Sequence, residues 1–345
     1  MKSVQPIVLF YDIATPMVYT NQTLQEFTVI RGSESTVIRL AHRLKNYYTI
    51  YVAQHCRATN NNQISDGVHY ISFETAHDLA PDFVIFLRHG RLVDTVFKRF
   101  PHAKHFFWMH NLPMRNLYSK LDVLSKHQCE LIAISHFHAK TIEKRLEGKW
   151  YQRIFQKNNK KSRVPVRMIY SPIEDHLTPD NTVWNPNQMI VTSASYKGLP
   201  EILKRFYALQ THFPEYELLI SKPPSHMRNK LKLSSSIRFL EPLPYHQLIQ
   251  HIRESFCVFY PQTERVETFG LIYAESNAVG TPVLAHDFGA ASEILSDSSQ
   301  LINGKSMTSI IEKITEWRKN RPLVQANNQL RLSRVMQDWL ALLKK

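Results

Sequence analysis

"ETFGLIYAESNAVGTPVLAHDFG", from Glu267 to Gly289, is the stretch on which the reading of this chain turns. Nine glycines in 345 residues is a sparse supply, since average usage is about 7%, yet Gly270, Gly280 and Gly289 all fall here. Glu267 and Glu275 stand eight residues apart. The preceding "SFCVFYP" reads as a buried strand, "QTERVE" as the loop leaving its carboxyl end, and "FGLIYAESNAV" as a helix. Gly280 is placed to end that helix, and "TPVLAHD" starts the next strand. Glu267 therefore precedes the helix and Glu275 lies about one and a half turns inside it. The amides of Phe269, Gly270 and Leu271 fall at the helix N-terminus, where unpaired N–H groups favour an anion, and Gly270 would admit a ligand close to that backbone. Carboxylates accept hydrogen bonds from hydroxyls and a helix end holds phosphate, which together suit a nucleotide sugar.

Working outward, short apolar runs alternate with amphipathic segments along the whole chain. The runs of the first half are "PIVLFYD", "YYTIYVA", "PDFVIFL", "HFFWMH", "ELIAIS" and "RMIYSP"; those of the second are "QMIVTSAS", "YELLIS", "SIRFLEP", "SFCVFYP", "TPVLAHD" and "SQLIN". Between the first two, "ESTVIRLAHRL" puts Val37, Leu40, Ala41 and Leu44 on one helical stripe. Wholly apolar strands joined by helices predict parallel sheets and an α/β class of two doubly wound domains. The break falls at residues 171–188, "SPIEDHLTPDNTVWNPNQ", rich in Pro, Asn and Asp. The expected domains are residues 1–175 and 176–321, and the segment from Pro322 to Lys345 is expected to be a helix with Leu332, Val335, Met336, Trp339 and Leu343 on one side. Gly32, Gly198, Gly270, Gly280 and Gly289 all sit at junctions of loop, helix and strand.

Apolar residues make up 43% and charged residues 21%, an ordinary globular balance. No apolar run is long enough to cross a bilayer, and the N-terminus has no signal-peptide pattern. The widely spaced Cys56, Cys129 and Cys257 read as buried thiols in a reducing compartment, so a cytoplasmic location is expected. The formal charge of +14 gathers between Lys140 and Arg167, which hold ten Lys and Arg against Glu143 and Glu147. Three readings compete for this stretch: a solvated face, a nucleic-acid patch, or a surface for anionic lipid or an acidic substrate. No nucleic-acid motif accompanies the charge, so nucleic acid is not expected as a partner.

"E-T-F-G-L-I-Y-A-E" followed by "A-V-G-T-P-V" resembles the E-x7-E signature of retaining glycosyltransferases of the family 4 type, which have the GT-B fold. Further segments resemble the family in the same order: "RGSESTVIRLAHRL", "FFWMHNLP", "ELIAISHFHAKTI", "MIYSPIE", "SASYKGLPEIL" and "FGAASEIL". The resemblance covers most of residues 30 to 305. It implies two Rossmann-like domains facing a cleft, with the C-terminal helix crossing back to the N-terminal domain. It also implies transfer of a sugar, with retention and without a metal, from a nucleoside-diphosphate sugar to a glycan, lipid-linked or other acceptor. No cofactor is implied beyond the nucleotide sugar itself. Carried over to this chain, Glu275 would hold the ribose hydroxyls and Glu267 the transferred sugar. The amides after Phe269, through Gly270 and Leu271, would bind sugar hydroxyls or the diphosphate. Lys197, beside Gly198, would neutralise the leaving diphosphate; Gly32 and Ser33 would bring backbone to it, and His110 would reach the sugar.

Departures accompany the resemblance. The family usually places an Arg about five residues before the Lys, where this chain has Thr192; Lys222 or Arg265 are the candidate substitutes. The loop before Ser33 has one glycine instead of two and follows a long segment from Asp12 to Val29. Bland readings stand beside the functional ones: a structural Glu275, a core His110, a solvated Lys197, and a structural His136 and His138 instead of a metal pair. The competing functions are a catalytically silent nucleotide-sugar-binding protein and another GT-B enzyme such as a sugar-nucleotide epimerase. A lipid-linked acceptor would put residues 140–167 against an anionic membrane, making the enzyme peripheral on the inner membrane face.

Overall fold

The computed structural model describes residues 5–26, 30–88, 90–113, 115–147, 164–192, 198–221 and 234–344. The chain divides into two compact units: unit 1 comprises Met1–Gln22, Arg31–Pro172 and Leu332–Lys345, and unit 2 comprises Thr23–Ile30 and Ile173–Arg331.

Unit 1 is built on eight strands: β1 (Ile7–Asp12), β2 (Thr49–Gln54), β3 (Gln63–Ser65), β4 (Val68–Ile71), β5 (Phe83–Leu87), β6 (Lys104–Trp108), β7 (Glu130–Ala133) and β8 (Val166–Met168). They lie in the order β3-β4-β2-β1-β5-β6-β7-β8. All pairs are parallel except β3 with β4. All five residues of β5 are buried, as strands covered on both faces must be. The Gly32–Leu44 helix turns Val37, Leu40, Ala41 and Leu44 fully inward. The closing Leu332–Leu342 helix packs on that helix. Trp339 meets Trp108 with ring centroids 4.8 Å apart, and the Tyr48 hydroxyl donates to the Leu343 carbonyl at 2.9 Å. The helix expected from Pro322 begins later, where its apolar stripe begins. Asn327 caps a 3-10 turn at Asn328–Leu330 by accepting from the Gln329 amide at 2.9 Å, and the α-helix begins only at Leu332.

Unit 2 repeats the plan with β9 (Asn185–Val191), β10 (Glu217–Ile220), β11 (Ile237–Phe239), β12 (Ser255–Tyr260), β13 (Val283–His286) and β14 (Leu301–Ile302), ordered β11-β10-β9-β12-β13-β14. All its strand pairs are parallel. The start and end of this unit meet. The Ile173 amide donates to the Leu330 carbonyl at 2.9 Å, and Arg331 donates to the carbonyls of Glu174 and Leu177. Arg321 caps the start of β12, reaching the Ser255 and Phe256 carbonyls while its guanidinium lies 4.7 Å from the Trp184 ring. In each sheet the strand order reverses beside the first strand: between β1 and β5 in unit 1, and between β9 and β12 in unit 2. Open α/β sheets receive ligands beyond the carboxyl ends of the strands at such a reversal.

Candidate active site

In unit 2 both sequence motifs leave from the reversal point. Gly198 follows β9 and Glu267 follows β12. The two loops are fastened to each other by Gln262 and Glu201. Buried Gln262 accepts from the amides of Glu264 and Arg265 at 3.1 and 2.9 Å and donates to the Arg265 carbonyl at 2.7 Å. Gly198, in the left-handed region at φ +79°, lies so close to it that a Cβ would sit 2.9 Å from Gln262 Cβ. Glu201, in the first turn of the Leu199–Gln210 helix, accepts from both the amide and the hydroxyl of Thr263 at 2.7 Å. The loop carrying Glu267 is thus part of a rigid floor shared with the Gly198 turn.

Glu267 is buried, and its carboxylate accepts from the Tyr260 hydroxyl at 2.9 Å. Its carbonyl accepts from the Ala290 amide at 3.0 Å. Gly289, at φ +69°, makes that approach possible, because a Cβ there would stand 2.7 Å from the Glu267 carbonyl oxygen. Glu275 lies on the Leu271–Ala278 helix, half-buried, and accepts from the Tyr245 hydroxyl at 2.8 Å. Phe269 is buried, Leu271 half-buried and Arg265 exposed. Gly270 requires a correction to the sequence reading. It precedes the helix at φ +84°, but the space a Cβ would fill is taken by the Tyr273 ring, 2.5 Å away. Glycine is needed there for the chain's own packing, so the residue type gives no sign of a close ligand. Tyr273 is fully buried, and burial, followed by the Glu267 charge, pushes its hydroxyl pKa well up. Lys197 and Lys222 lie outside the described residues, so the cation that would offset Thr192 is not located.

Unit 1 carries the other expected residues. Gly32 opens the Gly32–Leu44 helix and is exposed, with Ser33 half-buried beside it. The Gly32 carbonyl accepts from the Ser35 and Thr36 hydroxyls at 2.9 and 2.6 Å. His110 follows β6 and is buried, with the Trp108 ring edge-on at 4.6 Å. Burial, then the charges of Arg88 and His138, hold His110 well below the ordinary imidazole range, so it is neutral.

His136 and His138 do not form a metal pair: His136 is exposed and His138 fully buried. His138 Nδ1 accepts from the Ile134 amide at 3.3 Å, which puts the proton on Nε2 facing the Asn111 carbonyl at 3.0 Å. Burial pushes its pKa down to about 4. The ring therefore ties down the loop that carries His110. No group of three or more His, Cys, Asp or Glu able to hold a metal occurs among the described residues.

Sequence reading missed a set of charged residues. Asp12 ends β1 and Arg88 follows β5, so the two bridge the reversal point of unit 1. Arg88 Nε donates to Asp12 Oδ1 at 2.9 Å, and its Nη2 pairs with Glu34 Oε1 at 2.9 Å. Both carboxylates are wholly buried, and the Tyr19 hydroxyl donates to Asp12 at 3.0 Å. Asp12 at the end of "PIVLFYD" was visible as a polar residue closing an apolar run; its partners come from distant positions with no pattern to connect them.

The two reversal points and their loops are those of the GT-B architecture. The glycosyltransferase AviGT4, involved in Avilamycin A biosynthesis, aligns over 98% of this chain and 96% of its own with a TM-score of 0.57 at 10% identity. UDP-N-acetylglucosamine 2-epimerase from Rickettsia bellii aligns over 98% and 95% with a TM-score of 0.56 at 10% identity. These likenesses define the fold. Residues 189–331, from β9 to the end of unit 2, match the family model described as Glycosyl transferases group 1. A curated relative, D-inositol 3-phosphate glycosyltransferase of Nocardia farcinica (strain IFM 10152), is 39% identical over 70 residues, or 20% of this chain. The match spans 15% of that relative's length.

Proposed function

We propose that the chain is a group 1 glycosyltransferase that binds a nucleoside-diphosphate sugar on unit 2 and transfers the sugar, with retention and without a metal, to a hydroxyl of a glycan, lipid-linked or other acceptor. The observation that carries this reading is that the Gly198 turn and the Glu267 loop leave the reversal point between β9 and β12 tied to each other, with Glu275 on the helix that follows, inside the segment that matches the group 1 family. Glu275 accepts the ribose hydroxyls and Glu267 those of the sugar. Amides from Phe269 to Leu271 and the cations Lys197, Lys222 and Arg265 offset the leaving diphosphate, while Gly32, Ser33 and neutral His110 act from unit 1. Charge stabilisation and positioning supply most of the rate. The likeness to an epimerase rests on fold alone, and the family match of residues 189–331 favours transfer.

Thermal-shift measurements with UDP, GDP, ADP and their sugars identify the donor, because a ligand that binds only the folded state raises its apparent stability. Slow hydrolysis of that donor without acceptor separates an enzyme from a silent binder. No stabilisation by any of them would sink the reading.

A lipid-linked acceptor also requires contact with a membrane. No helix among the described residues is long and apolar enough to cross one, and most of the basic stretch 140–167 lies outside the described residues. In this reading the stretch holds anionic lipid, each cation contributing about 1 kcal/mol near the surface. Vesicle co-sedimentation should therefore weaken with salt and with Lys157, Lys160, Lys161 and Arg163 replaced by Gln. Equal pelleting with neutral and anionic vesicles at low salt would return the stretch to a solvated face.

A further inference from the structure

Three buried charges meet at the reversal point of unit 1, a placement that desolvation opposes unless every group is held by partners. Asp12 and Glu34 are wholly buried, and one guanidinium serves both. Its Nε donates to Asp12 Oδ1 at 2.9 Å, while Nη2 reaches Asp12 Oδ2 at 3.3 Å and Glu34 Oε1 at 2.9 Å. Burial alone would lower the Arg88 pKa, but Asp12, Glu34 and Tyr19 outweigh it and raise it. Neither Glu34 carboxylate oxygen has a hydrogen-bond partner among the described residues, so Arg88 holds Glu34 as an ion pair by proximity. Arg88 itself adopts φ +75°, left-handed backbone that non-glycine residues avoid. Such strain persists only where the surroundings fix it, and it gathers at functional sites.

What the guanidinium joins gives the cluster its meaning. Asp12 closes β1, Arg88 follows β5, and Glu34 stands in the first turn of the Gly32–Leu44 helix, directly after Gly32 and Ser33. Through Asp12 it also reaches Tyr19, whose backbone is clamped by Gln54 and Arg57 from the carboxyl end of β2. The charged and titratable groups that bear on His110 are Arg88 and His138, with the Trp108 ring against its edge. His138 is already committed on both nitrogens to the Ile134 amide and the Asn111 carbonyl.

We infer that Arg88 is the positioning residue of unit 1, fixing the helix turn of Gly32 and Ser33 to the ends of β1 and β5 with its guanidinium. The inference rests on the functional reading above for what those residues touch, but the linkage among them can be measured without a substrate. A lysine keeps the charge and loses the fork, whereas a glutamine loses both.

The readout is amide exchange at Ser35, the first hydrogen-bonded amide of the turn, which donates to the Arg31 carbonyl at 3.1 Å. Arg88→Gln should speed exchange of the helix turn about tenfold. Arg88→Lys, which keeps the charge without the fork, should speed that exchange as well. Unchanged exchange in Arg88→Gln would overturn the inference. Should Arg88→Gln fail to fold, Glu34→Gln, which keeps the Asp12 pair, should still speed exchange of the turn; no change there would overturn it equally. Turnover completes the test once a nucleotide sugar is identified: Arg88→Lys should lower kcat with KM little changed. A wild-type chain that binds no nucleotide while exchange of the turn still responds to Arg88 would defeat the functional reading and leave this one standing.

Discussion

Units 1 and 2 share a reversal of strand order beside the first strand and differ in what they place there. Unit 1 puts charge inside: Asp12, Glu34 and Arg88 around one fork, with His110 and His138 buried and neutral behind them. Unit 2 uses backbone: Gly198, Gly270 and Gly289 in left-handed turns bring loops into contact, and the carboxylates of Glu267 and Glu275 are held by tyrosine hydroxyls. One topology thus supports two ways of holding a loop rigid. A charge network is specified by partners scattered through the sequence, and a glycine turn by one residue beside the element it ends. The buried histidines of unit 1 respond to pH, and the glycine turns of unit 2 to volume.

The largest expected effect breaks this contrast on the side of unit 1. Burial pushes His105 and His138 down to about 4 and holds His110 well below its ordinary value. The unfolded chain binds these protons at about pH 6.5, so the stability they influence is complete above that pH and is lost as pH falls toward 4. At about 1.4 kcal/mol per pH unit, His105 and His138 each account for up to about 3 kcal/mol. Urea unfolding at pH 7 and pH 4.5 should therefore show a much lower midpoint in acid, and His138→Gln should flatten part of that slope. An acid midpoint equal to the neutral one would remove the buried-histidine account.

Next comes the volume side. Gly289→Ala would place a methyl 2.7 Å from the Glu267 carbonyl oxygen and 2.9 Å from Val266 Cγ1, in backbone at φ +69°. Left-handed strain and overpacking together cost about 2–4 kcal/mol. The urea midpoint should drop at neutral pH with no new pH dependence, and nucleotide-sugar turnover should fall because Glu267 moves with its carbonyl. A neutral substitution would mean that the Phe288–Ala291 loop does not set the position of Glu267.

The same contrast explains what could be read in advance. Each apolar run quoted from the sequence contains a strand, because strands buried on both faces leave continuous apolar tracts. The stripe of Val37, Leu40, Ala41 and Leu44 is buried as its spacing required. Glycine junctions were also legible, although the reason at Gly270 is the Tyr273 ring and not a ligand. The β3–β4 hairpin was passed over. Its signal is the Asp66-Gly67 pair, both at positive φ, between strands too short to show alternation. The Asp12–Arg88–Glu34 cluster had no local signature at all. Arg88 looks like any loop arginine until β5 is laid beside β1.

The central claim is that unit 2 binds a nucleotide through Glu275, and titration calorimetry of UDP, GDP and ADP tests it most directly. One of the three should bind the wild-type chain. Glu275→Gln should fold normally and weaken that binding by ten- to a hundredfold, since a hydrogen bond to a charged group is worth roughly 1.5–3 kcal/mol. Binding of equal strength in wild type and Glu275→Gln, or of no nucleotide to either, would contradict the account.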